Sequence, residues 1–348
     1  MPFQSSVRDC RKLIMAAALA GAAIAAAAAV SPAGAAKVQQ ATLPSTTWTV
    51  THLAGNGADA IACRSQSFCA AVGGETGYIY NGTSWSVFKK IDPGLNLGRN
   101  ERLASVSCPT TGFCIAVDTS ARAVTWNGKR WSTPTTVFNF GKFSGLVSVS
   151  CVTRRFCAAV GGAINRGGLA VTWNGKRWSA PISVGNFGNG GPQSVSCVTA
   201  RFCAAVGSYG GAVTWNGTRW SHQTVIAVGD DQSSVSCPTT HLCVAVDAYQ
   251  HAASWNGAHW SRPTTIRRAD QPTSVSCPTV SFCVVVDQNG GAATWDGKAW
   301  SAMASIDSPS IPGEGGWELF SVSCPSANFC AAVDNHHSVL MSTDPAAR

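Results

Sequence analysis

Ser148-Val149-Ser150-Cys151, Phe156-Cys157-Ala158-Ala159-Val160 and Ala170-Val171-Thr172-Trp173-Asn174-Gly175, closed by Trp178-Ser179, make up one unit of a pattern that the chain repeats seven times with changes. Two cysteines six positions apart mark every copy: Cys63 and Cys69, Cys108 and Cys114, Cys151 and Cys157, Cys197 and Cys203, Cys237 and Cys243, Cys277 and Cys283, Cys324 and Cys330. The first cysteines of successive pairs lie 45, 43, 46, 40, 40 and 47 residues apart. That is the period of four-stranded propeller blades, and a repeat of this kind takes precedence over any local reading.

Each unit reads as four short strands. Ser-Val-Ser-Cys alternates side chains. After a short turn, Phe113-Cys114-Ile115-Ala116-Val117 is apolar at consecutive positions, as a strand must be when both faces of its sheet are covered. A third strand, Ala123-Val124-Thr125-Trp126, runs into Asn127-Gly128, a strong hairpin signal because these residues tolerate positive φ. Strand four is expected to begin at Trp131-Ser132, which puts Trp126 and Trp131 side by side on one face. The pair recurs at Trp173/Trp178, Trp215/Trp220, Trp255/Trp260 and Trp295/Trp300, with Tyr80/Trp85 in the first unit. Recurrence at every hairpin assigns these rings to blade packing rather than to sugar stacking.

The two ends of the repeat complete each other. The seventh unit stops after Ser338-Val339-Leu340-Met341, without a fourth strand, and Thr46-Thr47-Trp48-Thr49-Val50 is a fourth strand with no blade before it. Pairing them closes a ring and removes the free sheet edges. The expected fold is therefore all-β: a seven-bladed β-propeller over residues 46–344, with four-stranded blades and the N-terminal strand closing the last one.

Ahead of the propeller, Arg8, Arg11 and Lys12 precede an apolar, Ala-rich run from Leu13 to Val30 and a small-residue site at Ala33-Gly34-Ala35. Residues 1–35 thus read as a secretory signal peptide, the competing reading being a retained membrane anchor. Residues 36–45 are an exposed lead-in and 345–348 a short tail. Cleavage leaves 22 basic against 16 acidic residues, scattered without blocks. No basic stripe for nucleic acid is present, and no stable membrane anchor remains after cleavage.

Cleavage also removes Cys10 and leaves fourteen cysteines, a number suited to an oxidising, extracellular compartment. Each pair brackets the turn between strands one and two, so one disulfide per blade is expected, each contributing roughly 2–2.5 kcal/mol by chain-entropy arguments. Zinc would need four converging ligands, and pairs on separate blades point apart. Neither a metal nor a cofactor is expected.

Binding residues are sought where the repeat breaks down, in the loops between strands two and three and the links between blades, which share one face. The candidates there are Arg166, Tyr209, Tyr249, His251, Arg267, Trp317 and His336. Asp118, Asp247, Asp287 and Asp334 end strand two in four units, where Gly73, Gly161 and Gly207 do so in three. They read as turn-forming residues, with a cation-binding ring as the alternative. No nucleophile elbow, phosphate loop or zinc-protease motif occurs, and no catalytic residue is assigned.

The whole pattern, Ser-Val-Ser-Cys, Phe-Cys, then Val-Thr-Trp-Asn-Gly-x-x-Trp-Ser, resembles the repeats of secreted actinobacterial proteins of the WD40/YVTN/BNR-like β-propeller class, over residues 46–344. Thr172-Trp173-Asn174-Gly175-Lys176-Arg177-Trp178 also resembles a shortened Asp-box, the hairpin of sialidase-type propellers, one residue short and with Asn for Asp except at Asp296. In those families the box is structural, so the resemblance implies no catalytic role for it. A sialidase likeness would further imply an arginine cluster with a Tyr/Glu nucleophile pair, and the sequence assigns no such set. The expectation is a secreted, monomeric, non-enzymatic binding or scaffold propeller that recognises a cell-envelope glycan or an extracellular protein. A glycan-active hydrolase or lyase is the alternative. Peptide mapping of the non-reduced chain is expected to recover seven bridges, each within its own repeat; one inter-repeat linkage would break the assignment.

Overall fold

The computed structural model describes residues 47–99, 101–141, 144–163, 165–187, 191–226, 234–307 and 317–343. The expected signal peptide, lead-in and tail lie outside them. The described residues form seven antiparallel four-stranded sheets. In six of them the strands follow chain order, as in the second blade: Leu103–Thr110, Phe113–Asp118, Arg122–Trp126 and Thr135–Thr136. The seventh joins Leu319–Ser326, Phe329–Asp334 and Ser338–Thr343 to the strand Thr47–His52. Thr47 pairs with Thr343, and the register runs through to His52 with Ser338. The inner strands stand side by side around a ring that closes from the seventh blade to the first.

Seven disulfides join the paired cysteines, one within each blade: Cys63 to Cys69, Cys108 to Cys114, Cys151 to Cys157, Cys197 to Cys203, Cys237 to Cys243, Cys277 to Cys283 and Cys324 to Cys330. The two members of a bridge are not equivalent. The second, on strand two, lies inside the wall of the ring: Cys69, Cys114, Cys157, Cys203, Cys243 and Cys283 are fully buried, and Cys330 is nearly so. These sulfurs act as internal staples, out of reach of any ligand at the surface. The ladder around the bridges also departs from a simple hairpin in four blades. Cys63, Cys151 and Cys197 sit directly opposite Cys69, Cys157 and Cys203 as ladder partners. At Cys108, Cys237, Cys277 and Cys324 the ladder skips the cysteine pair. There the next residue is proline, Pro109, Pro238, Pro278 or Pro325, which has no N–H and a fixed φ. The bridge to Cys114, Cys243, Cys283 or Cys330 then joins the two strands where the backbone bonds do not.

The second strands form the dry layer of the ring, with Ala158, Ala159 and Val160 fully buried. Their apolar runs satisfy two neighbours at once, because each face of a blade packs on another blade.

The seams between blades repeat one contact. The phenylalanine before the second cysteine of one blade packs against the aromatic hairpin of the next, as Phe113 does in a cluster with Trp173 and Trp178, and Phe156 with Trp215 and Trp220. Within the hairpins the ring centroids lie 5.2–5.9 Å apart. Trp126 and Trp131 are paired across the strands, as expected, by an isolated bridge. Strand four, however, does not run on from there. Ser132 Oγ takes the Thr125 amide at 3.0 Å, a side chain in place of a ladder partner, and the ladder resumes only at Thr135. Pro134 has no N–H to continue it. Four of the outer strands are accordingly two residues long.

The two serines of the inner strand do more than alternate. Ser105 and Ser107 accept hydrogen bonds from the Val149 and Cys151 amides of the following blade. The same pair of bonds recurs around the ring, from Ser148/Ser150 to Val195/Cys197 and onward, and finally from Ser321/Ser323 to Ile61/Cys63. Six of the seven seams carry it, at 2.9–3.3 Å. The exception is the seam from the first blade to the second, where Ala60 and Ala62 stand at the serine positions. There Arg64 Nε reaches across to the Pro109 carbonyl at 3.2 Å.

Two substitutions test this stitching. Ser150→Ala strips the acceptor from the Cys197 amide and is expected to destabilise by about 1–3 kcal/mol. Ala62→Ser supplies the missing acceptor at the first seam and is expected to stabilise by about 0.5–1.5 kcal/mol. Urea titration of the oxidised protein reads both; equal and small effects of opposite sign to these would remove the serines from the account.

Candidate functional site

At five inner strands the register slips by one residue just before the first serine: between Leu103 and Ser105, Leu146 and Ser148, Pro192 and Ser194, Pro272 and Ser274, and Leu319 and Ser321. A bulge re-aims the extra side chain. The extra residues, Ala104, Val147, Gln193, Thr273 and Phe320, all line one cavity of about 540 Å³, which Asp59 of the first blade also lines. A cavity lined by residues from six blades is the mouth of the central channel, and it opens on the face of the strand two–three loops and inter-blade links. The opposite face carries the disulfide turns and the Asn-Gly hairpins, which touch one another: Trp126 Nε1 donates to the Thr111 carbonyl at 3.2 Å.

The ring positions repeat, but the chemistry at the mouth does not. Glu318 of the seventh blade, Asp59 of the first and Arg102 of the second bring three charges to one arc. The remaining arc offers Val147, Gln193, Thr273 and Gln288. Each charged residue is anchored through its backbone. The Asp59 amide donates to the Val72 carbonyl at 2.8 Å, and Arg102 is clamped by Thr119, whose amide donates to the Arg102 carbonyl at 3.0 Å and whose hydroxyl accepts the Arg102 amide at 3.0 Å. Asn335 holds Glu318 the same way, at 3.0 Å in both directions. Arg102 Nε lies 3.5 Å from Asp59 Oδ2. Burial raises the Asp59 pKa, opposed by Arg102, a backbone hydrogen bond from Gly74 and His337.

The seven residues picked out by loop position are not gathered at this mouth. Arg166 lies over the Phe140 ring, 4.2 Å from its centroid. Tyr209 and Tyr249 sit in separate blades, 57% and 54% exposed. His251 Nδ1 is 3.1 Å from the buried Asp247 carboxylate. Arg267 borders a groove on the rim between the fifth and sixth blades. Trp317 is only 9% exposed, and His336 stacks on it at a centroid distance of 4.1 Å. None of the seven is among the residues that line the mouth. The mouth residues outside that set include Asp59, Arg102, Gln193, Gln288, Glu318 and Phe320. The signal is present: the position before Ser-x-Ser, or before Ala60-Ile61-Ala62 in the first unit, reads Asp, Ala, Val, Gln, Ser, Thr and Phe through the seven units, a variable site inside a repeating frame.

The four aspartates that end strand two each fold a turn. Oδ1 of Asp118 accepts the Ser120 and Arg122 amides at 2.8 and 2.7 Å, and Asp287 and Asp334 repeat the arrangement. Where glycine replaces Asp, the link backbone fills the space instead: a Cβ on Gly73 or Gly207 would fall 2.6 Å from the carbonyl oxygen of Gly57 or Gly191. In two blades a second aspartate from the link joins the turn aspartate. Asp92 is buried beside Asp118, with Arg122 reaching both at 2.9 and 2.7 Å. Asp307 is buried beside Asp334. Burial, then the charge and hydrogen bond of the neighbouring aspartate, push Asp307 up to about 7; burial and Asp118 take Asp92 to about 7 against the pull of Arg122. A protonated Asp307 donates to Asp334 and so satisfies the pair.

No protein-family model matches the sequence, and no curated protein matches it. By structure the chain is similar to YCF48 bound to D1 peptide, at 12% identity and a TM-score of 0.62 over 87% of this chain and 97% of that one. It is similar to the WD40 β-propeller domain of Doa1 at 10% identity and a TM-score of 0.64, over 87% and 98%. It also resembles Raptor from Chaetomium thermophilum at 9% identity and a TM-score of 0.67, over 86% of this chain and 29% of that one. At these identities the likeness establishes the propeller fold.

The Asp307–Asp334 pair has a pH signature. Asp307 ionises near 3.8 when unfolded and near 7 when folded, so between those values the folded chain holds a proton that the unfolded chain has released. Its contribution therefore falls as pH rises through that window and is lost above it. Asp307→Asn keeps the hydrogen-bond donor without the proton. The Tm of the variant relative to the parent is expected to climb between pH 4 and 8; a difference that stays flat or shrinks would show that the two aspartates do not share a proton.

Proposed function

We propose that this propeller is a secreted, non-enzymatic binding module that takes an extended segment of an extracellular protein at the channel mouth. The observation that carries the reading is the mouth itself: a ring that six blades line with one to three residues each, charged on the arc of Glu318, Asp59 and Arg102 and neutral on the other. An extended peptide presents backbone amides and alternating side chains to such a ring. Gln193 supplies a donor and an acceptor, Thr273 an acceptor because its proton goes to the Leu319 carbonyl, Phe320 an apolar contact, and the charged arc fixes direction through an oppositely charged pair on the ligand. YCF48, to which this chain is similar over 97% of that protein's length, is bound to a D1 peptide, which supports a peptide over other ligands. Secretion is supported by the reading of residues 1–35 and by seven disulfides that need an oxidising compartment.

A peptide display library panned against the oxidised protein, with an envelope-glycan array in parallel, tests the reading. Saturable peptide binding without turnover is expected. It should weaken at least tenfold in Arg102→Ala and in Phe320→Ala, and not in Lys176→Ala on the opposite face. Binding of glycans alone would replace the protein partner by a cell-envelope polymer, release of cleaved product would carry the hydrolase reading, and ligands indifferent to both mouth variants would move the site elsewhere.

A further inference from the structure

One seam departs from the packing rule of the other six. In the first four blades and the last two, the residue before the second cysteine is a phenylalanine: Phe68, Phe113, Phe156, Phe202, Phe282 and Phe329. Every one of them enters the apolar cluster shared with the next blade's aromatic residues. Phe202, for example, lies 6.4 Å from Trp255 between ring centroids. In the fifth blade the position holds Leu242. The cluster at the seam between the fifth and sixth blades contains Trp295 and Trp300 but no phenylalanine, and a groove of about 500 Å³ opens there, lined by Leu242, Val244, Ala252 and the two tryptophans. Val280, at its edge, is 51% exposed. Leu242 leaves the floor of this groove without a ring, and its volume falls within the range of about 300–1,000 Å³ that holds drug-sized ligands.

The rim of the groove is charged in one sense. Arg267 follows the outer strand Thr264–Thr265, and Lys298 sits in the hairpin between Trp295 and Trp300. Among the described residues no carboxylate lines the groove. The closest acid in sequence, Asp296, is fully exposed, with Oδ1 occupied by the Lys298 and Ala299 amides at 2.8 Å each. An apolar trough with indole walls and a cation toward either end suits a hydrocarbon or aryl body that carries an anionic group.

We propose that this rim groove is a binding site for an amphiphilic carboxylate, separate from the channel mouth. Titration calorimetry of the oxidised full chain with octanoate, and with octanol as the neutral match, tests it. Octanoate is expected to bind at one site, at least tenfold more tightly than octanol. Leu242→Phe, which restores the residue of the other six blades, should abolish this binding while leaving Tm equal or higher. Val280→Glu, at an exposed edge position, should weaken octanoate at least tenfold and octanol little. Arg102→Ala should leave both ligands unaffected, which separates this site from the mouth. Equal affinity for the two ligands would overturn the anionic assignment. Unchanged octanoate binding in both Leu242→Phe and Val280→Glu would overturn the site, and so would no binding to the parent, which would leave the groove to an apolar side chain of a partner protein.

Discussion

Each blade of this ring presents its inner strand as a sheet edge, and at the Val and Cys positions the amides point away from their own ladder. An unpaired edge amide in a packed interior costs more than a hydrogen bond returns, so an acceptor at each one stabilises the ring. Serine hydroxyls from the preceding blade supply it at six seams, two residues apart, in step with the pleat. The rest of the architecture depends on that match. It fixes the height of one blade against the next, and with it the alignment of the phenylalanine on one side with the tryptophan hairpin on the other. A blade taken alone would keep its disulfide and lose the partners of its inner edge, which is why repeats of this kind are stable as arrays.

Much of this is legible because the repeat is spelled in residues with few alternative uses. Fourteen cysteines at fixed spacing, five Trp-Asn/Asp-Gly hairpins, an orphan strand at one end and a unit short of one strand at the other leave little besides a closed propeller. The serines are legible as strand residues only, since their partners lie 41–48 residues away along the chain in most seams, and no local periodicity encodes a contact of that range. The outer strand is misjudged for a local reason: the serine after the second tryptophan takes a backbone amide that the ladder would otherwise use. Half of the mouth escapes notice because five of its side chains, Ala104, Val147, Gln193, Thr273 and Phe320, come from bulges. A one-residue slip turns a position that strict alternation would assign to one sheet face toward the channel, and such a slip is invisible until the strands are paired.

Repetition and function are divided between different atoms of the same strand. The serines, cysteines and apolar positions are held constant by neighbours on both sides. The bulged position also lines the channel, and in the five blades that carry the bulge it holds five different residues, Ala104, Val147, Gln193, Thr273 and Phe320. The charges gather where the seventh, first and second blades meet, the arc that includes both the ring closure and the one seam without serines. The mouth is thus least uniform where the ring itself is least regular.

The pairing of Thr47–His52 with Ser338–Thr343 also bears on the order in which the molecule comes into being. Synthesis from the N-terminus releases that strand before the other described strands and its partner after them, with some 290 residues between their paired positions. Six blades have all their strands before the ring can shut, and until then the sheet edge that the first strand will cover stays open to any passing strand. Assembly is therefore ordered in time, with the final step reserved for the two segments made furthest apart.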